Sequence, residues 1–187
     1  MRAQHYHIEN CRKPLQKLVF VLLFQLAALL ANAQTPPSAI NQVKAVFLYN
    51  FTQFVTWPPE AFAGTNSPFV IGVLGSNPFG TYLEKVVQEE TVRGRQIVIR
   101  YYTEPGEVRN CHLLFINKEN PRDVLTELAG NAILTVGDRE NFVRSGGMIG
   151  FYLDKNKIRF YINTKTARAA NIDISSKLLR LANVIEE

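Results

Sequence analysis

Hydrophobic positions along this chain change their period several times, and each change marks an element. Ser38 follows two prolines and can cap a helix in which Val43, Val46, Phe47, Asn50, Phe51 and Phe54 recur at helical spacing. That helix should end before "WPP" (57–59), because the residue ahead of a proline is pushed out of helical geometry. Its aromatic stripe, and Trp57 after it, read as core packing. Strand-type and helical runs then alternate. The strands are "FVIGVLG" (69–75), "QIVIRYY" (96–102), "CHLLFIN" (111–117) and "AILTVG" (132–137). The helices are "PFGTYLEKVVQ" (78–88), "PRDVLTELAG" (121–130) and "RENFVRSG" (139–146), with a helical turn over 104–109. Such alternation argues for βαβ units and a parallel sheet covered on both faces.

The end of the chain departs from that pattern. "GMIGFYLDKNKIRFYIN" (147–163) holds two β-type runs around Asp154, Lys155 and Asn156, which is hairpin chemistry. A helix over 166–170, a break at Asn171 and a final helix with Leu178, Leu181, Ala182 and Ile185 on one stripe complete the reading. The expected fold is α/β: a Rossmann-like three-layer sandwich, with a mostly parallel sheet, an antiparallel edge hairpin, and the last helix packed back onto it.

Composition adds limits. With 187 residues, 47% of them hydrophobic and 20% charged, the chain can bury one ordinary core. Residues 1–33 are set apart as a leader. Arg2, Arg12, Lys13 and Lys17 precede the uncharged apolar run 18–30, and "ANA" (31–33) fits a signal-peptidase site. A cleaved secretory signal with Gln34 as the mature start, a single domain over 38–187 and a periplasmic location follow; an uncleaved anchor is the alternative. Without four leader cations and Glu9, the 21 Lys+Arg and 16 Asp+Glu become 17 and 15, a net charge of +2 in place of +5. The basic balance therefore owes much to the leader, and no nucleic-acid footprint is supported. Cys11 leaves with the leader too, so Cys111 has no intramolecular partner. It reads either as a small buried hydrophobe or as an intermolecular thiol, the second implying a homodimer.

Candidate chemistry is sparse. Gly72, Gly75 and Gly80 are spaced G-x₂-G-x₄-G, neither a dinucleotide fingerprint nor a P-loop, so the loop reads first as a corner. Asn77 before Pro78 makes a good N-cap, and free amides at such a helix start can hold a small anion; Gly75, Ser76 and Asn77 are the candidate ligand residues. His112 neighbours Cys111 on a strand, where adjacent side chains point to opposite faces and cannot share a metal or form a Cys–His pair. Asp138 is a single carboxylate at a strand end, read as the cap of the next helix, and Ser175 and Ser176 sit at another helix cap. No catalytic residue, metal ligand or cofactor is assigned.

Seven segments, "VKAVFLYNFTQFVTWP", "GVLGSNPFG", "CHLLFIN", "ILTVGD", "GGMIGF", "RFYIN" and "ISSKLLRLA", in this order and spacing, closely resemble the YfiR-like family of periplasmic proteins. The resemblance runs from Val43 to Ala182. It departs at Gly150, where asparagine is more usual, and at Asn171, where glycine is usual and a left-handed cap is served by either. It implies a small secreted α/β domain that restrains an inner-membrane diguanylate cyclase from the periplasmic side, limiting cyclic di-GMP and biofilm. Disulfide control known in the family has no basis in a mature chain with Cys111 alone.

Two classes of function follow. The first is a non-catalytic regulator that binds the exposed part of a membrane-bound cyclase or another membrane sensor. The second is a secreted enzyme or solute-binding module using the crevice at the strand ends. For the first, the edge hairpin and the basic residues Lys165, Arg168, Lys177 and Arg180 form the expected partner surface.

Overall fold

A computed structural model of the chain describes residues 38–185; the leader, its cleavage point, Cys11 and the last two residues lie outside them. Helix α1 (Ala39–Phe54) starts as expected, with Ser38 Oγ accepting from the Asn41 N–H at 3.3 Å. Its buried side differs from the expected stripe. Ala45, Leu48, Phe51 and Thr52 face the core, whereas Val43, Val46 and Phe54 face outward. Apolar residues occupy both sides of this helix, so spacing alone fits two stripes. Packing selects one of them: Phe47 and Phe51 interleave with Phe151 and Phe160 at ring-centroid distances of 5.1 to 6.0 Å.

After α1 come β1 (Val55–Thr56), a 3₁₀ turn (Pro59–Ala61), β2 (Phe69–Gly75) and α2 (Tyr82–Val87). The chain continues through β3 (Thr91–Val92), β4 (Arg95–Tyr102), a 3₁₀ turn (Pro105–Glu107), β5 (Leu113–Asn117), α3 (Pro121–Glu127) and β6 (Leu134–Gly137). It ends in β7 (Ile149–Asp154), β8 (Lys157–Asn163), α4 (Thr164–Ala169), β9 (Asp173–Ile174), α5 (Ser176–Leu179) and β10 (Asn183–Ile185).

The architecture is α/β on a mixed sheet of eight strands in the order β10-β8-β7-β6-β5-β2-β4-β3. Strands β4, β2, β5, β6 and β7 run parallel to their neighbours in that series; β7 with β8 and β3 with β4 are antiparallel, and β10 lies parallel to β8. Central strands are apolar on both faces, as buried parallel strands are. Ile71, Val73, Leu113 and Phe115 belong to one cluster with α1; Val70, Leu74, Leu114 and Ile116 belong to another with Val124 and Leu125 of α3.

Several expectations need correction. The β7–β8 hairpin turns at Lys155 (φ 47°) and Asn156 (φ 62°), the left-handed pair that a two-residue turn requires. It is not at an edge, however, because β6 flanks β7 and β10 flanks β8. The expected final helix is only α5, capped by Ser175 Oγ accepting from the Leu178 N–H at 3.4 Å, and the chain then pairs Asn183–Ile185 with β8. The open backbone edge of β8 offers ladder bonds that a longer helix would forgo; Leu181, assigned to its stripe, is 65% exposed. The segment 139–146 forms successive turns rather than a helix, since Asn141 (φ 63°) takes a left-handed conformation. A two-stranded ribbon of β1 with β9, Val55 opposite Ile174, and the short β3 had no signal in the periodicity.

Candidate functional site

The loop after β2 is held from three directions. Gly75 has φ 92°, and a Cβ there would sit 2.4 Å from the Asn117 carbonyl oxygen, so glycine is required by conformation and space together. Asn117 Nδ2, at the end of β5, donates to Ser76 O and to Ser76 Oγ, each at 2.9 Å. Asn41 Nδ2 of α1 donates to Pro78 O at 3.1 Å. Asn77 does not cap a helix: its Oδ1 accepts from the Phe79 N–H and its Nδ2 donates to Gly80 O, both at 2.9 Å. With Gly80 at φ 55°, these bonds build a turn, and α2 begins only at Tyr82. The helix start expected beside Asn77, with its free amides, is therefore four residues further on. Ser76 and Asn77 are exposed, but their side chains are spent on the corner itself.

The loop after β6 is tied to the same helix. Lys44 Nζ lies 2.5 Å from Asp138 Oδ2, with side chains 11% and 24% exposed. Asp138 is thus an ion-pair partner and not a helix cap. The sequence reading missed Lys44, although one signal was available: it is the sole charged residue between Ala39 and Phe54.

At the opposite end of the strands, Cys111 and His112 lie on opposite sides, as strand geometry requires. Cys111 is buried in the α3-side cluster, its Sγ 3.2 Å from Leu113 O, and burial pushes its thiol up to about 12. This is the packed-hydrophobe reading. His112 is stacked between Phe62 and Phe69, with centroids 4.5 and 4.8 Å away. Its Nδ1 accepts from the Val70 N–H at 3.0 Å, while buried Nε2 has no well-formed hydrogen bond. Burial pushes the imidazole down to about 4, with Arg95 adding to the effect and the Ala61 and Val70 backbone opposing it. Trp57 Nε1 donates to His112 O at 2.8 Å, so Trp57 is a packing residue with a satisfied donor. Among the described residues, no group of three or more His, Cys, Asp or Glu is placed to hold a metal ion.

The four basic residues fall into two pairs. Lys165 and Arg168 share a face of α4, and Lys177 and Arg180 share one at α5, each three residues apart. All four are exposed; Arg168 Nη2 donates to Thr164 Oγ1 at 3.0 Å. They flank the β1–β9 ribbon, where Ser175 N donates to Phe54 O at 2.9 Å and joins this segment to the end of α1.

A family model described as YfiR/HmsC-like matches residues 41–183. The chain belongs to the YfiR/HmsC-like family. No curated protein matches it. The match spans α1 through the start of β10 and so includes both strand-end loops, the Cys111–His112 pair and all four basic residues. YfiR/HmsC-like proteins are periplasmic and regulatory rather than catalytic, and they act with membrane-associated signalling partners. No helix among the described residues is long and apolar enough to cross a membrane.

Proposed function

We propose that the protein is a periplasmic, non-catalytic regulator that binds and represses a membrane-bound diguanylate cyclase, so limiting cyclic di-GMP and biofilm formation. The family match over residues 41–183 carries this reading. Export uses the leader 1–33, cleaved before Gln34. The architecture is a variant of the Rossmann-like three-layer plan; the parallel β4–β2–β5–β6–β7 series with an apolar cluster on each face supports it.

The partner surface is the basic pair Lys177 and Arg180 together with Lys165 and Arg168, all solvent-facing on or at the short helices that precede and follow β9. Self-satisfaction of the loop favours this surface over Gly75, Ser76 and Asn77 as the functional one, since a ligand there would compete with bonds the corner needs. The test is co-purification of the protein with its membrane partner, alongside cellular cyclic di-GMP. Lys177→Glu with Arg180→Glu should leave the melting curve nearly unchanged, because exposed changes cost under about 0.5 kcal/mol each. The same pair should release the partner and raise cyclic di-GMP. Retained co-purification together with wild-type cyclic di-GMP defeats the assignment. Arg168 is a poorer probe, because its reversal also gives up the bond to Thr164.

A further inference from the structure

Strand β4 is covered on its outer side only at its beginning. Strand β3 pairs Thr91 with Gln96 and Val92 with Arg95, and no described strand follows alongside Ile97–Tyr102. The connecting turn, Arg93 (φ 51°) and Gly94 (φ 78°), is a two-residue turn of the left-handed type. In such a hairpin the flanking pair Val92 and Arg95 exchanges both ladder bonds. Period two then points the backbone groups of Ile97, Ile99 and Tyr101 to the open side. Val98 and Tyr101 are exposed on this stretch, in which Arg100 is the one charged residue and there is no proline.

A groove of about 600 Å³ runs beside this edge. Its apolar lining is Val87, Ile97 and Ile99; its charged lining is Glu84, Glu89 and Glu90 against Lys85. Glu84 accepts from the Tyr101 hydroxyl, yet its Oε2 is buried with no hydrogen-bond partner among the described residues. An acidic wall with an unmet acceptor, next to a row of unpaired amides, is complementary to a donor-rich chain in extended conformation.

We propose that β4 is a strand-addition site, taking an extended segment of a partner protein that carries both apolar residues and Lys or Arg on the one face turned to the groove. Ladder bonds to Ile97, Ile99 and Tyr101 supply affinity, and from the one face turned to the groove apolar side chains meet Val87 and Ile99 while cations meet Glu84 and Glu89. A second copy of this chain is the poorer occupant, since pairing two β4 edges brings two acidic grooves together. The site is independent of which membrane protein the regulator restrains.

The test titrates the purified protein with an acetylated Val-Thr-Lys-Thr-Val-Thr-Lys heptapeptide, which sets Val and Lys on one face of a strand, and follows amide hydrogen exchange. Exchange at Ile97, Ile99 and Tyr101 should slow by about tenfold or more, the scale of a formed ladder bond. Glu84→Gln should weaken binding about tenfold, the worth of one charge-assisted contact, and Glu89→Gln, at an exposed position, serves if that variant is unstable. N-methylation of alternate peptide amides should abolish the protection. No protection up to the solubility limit, protection only elsewhere, or equal binding by the same peptide with Glu in place of both Lys overturns the proposal. None of these outcomes bears on co-purification with a membrane partner through Lys177 and Arg180, so the two readings fail separately.

Discussion

On the β8 side of the sheet, α1 sets Phe47 and Phe51 against Phe151 and Phe160, while β10 closes the edge of β8. On the β4 side, where Tyr102 buries the carboxyl end in the α3-side cluster, an aromatic stack anchors the amino end. There Arg95 Cζ sits 4.2 Å from the Phe62 ring centroid, Phe62 stacks on His112, His112 on Phe69, and Trp57 meets Phe69 edge-on at 4.9 Å. Arg95 Nη1 also donates to Ser67 O at 2.6 Å and to Gly64 O at 2.9 Å. Further along, β4 has an open flank. One side of the molecule is therefore closed by an apolar cluster indifferent to pH, the other by a stack containing an ionisable ring. A regulator with one fixed side and one open strand can offer distinct surfaces to distinct partners without moving its core.

The strongest way to break the contrast is at the aromatic cluster. Phe51 is fully buried and touches both Phe151 and Phe160. Phe51→Ala should cost about 3–5 kcal/mol, read as a lower urea midpoint with an unchanged slope. Val98→Thr on the exposed β4 flank should cost under about 0.5 kcal/mol. Equal losses at the two sites would abolish the distinction.

Acid should act on the other side. His112 is held near 4, below the ordinary 6.5, so below pH 6.5 the unfolded chain binds a proton that the folded chain refuses. Stability contributed by neutral His112 is complete above pH 6.5 and is lost as pH falls to about 4, by at most about 3 kcal/mol. Protonation at Nδ1 would also eject the Val70 N–H. Carboxylates titrate in the same window, so the readout is the difference in unfolding free energy between wild type and His112→Phe at pH 7 and at pH 4.5. That difference should narrow on acidification; a constant gap means His112 is not the titrating group.

What the sequence disclosed depended on how local each cause was. Ser38 and Ser175 caps, the Lys155–Asn156 turn and the apolar runs of β2 and β5 are written in neighbouring residues, and the structure has them. The outward stripe of α1 was misread because Val43 and Val46 satisfy the same period as Ala45 and Leu48. β10 was read as helix because its pairing with β8 is a tertiary choice invisible to periodicity. At the strand ends, Gly75 was legible as a corner, but Asn117 and Asn41, which lock it, come from 41 and 37 residues away. Lys44 and Asp138 are separated by 94 positions, so no local pattern joined them. The exposure of the four cations could be anticipated, since short helices leave polar faces in water; their division into two pairs was set by the β1–β9 ribbon between α4 and α5.

A smaller effect than at Phe51 or His112 is expected at the two-residue turn that brings β3 over the start of β4. Gly94 has φ 78° and no atom within 4 Å of where a Cβ would stand, so substitution there meets strain without a clash. Forcing a side chain into a left-handed conformation costs about 1 kcal/mol, and asparagine tolerates it better than alanine. Gly94→Ala should therefore lower stability by about 1 kcal/mol, and Gly94→Asn by less. The local consequence separates the two sides of the sheet: amides of Thr91–Gln96 should exchange faster in Gly94→Ala, while those of β8, paired on both flanks, keep their protection. If exchange rises equally in β8, the β3 turn is coupled to the whole sheet, and the open side is not an independent unit.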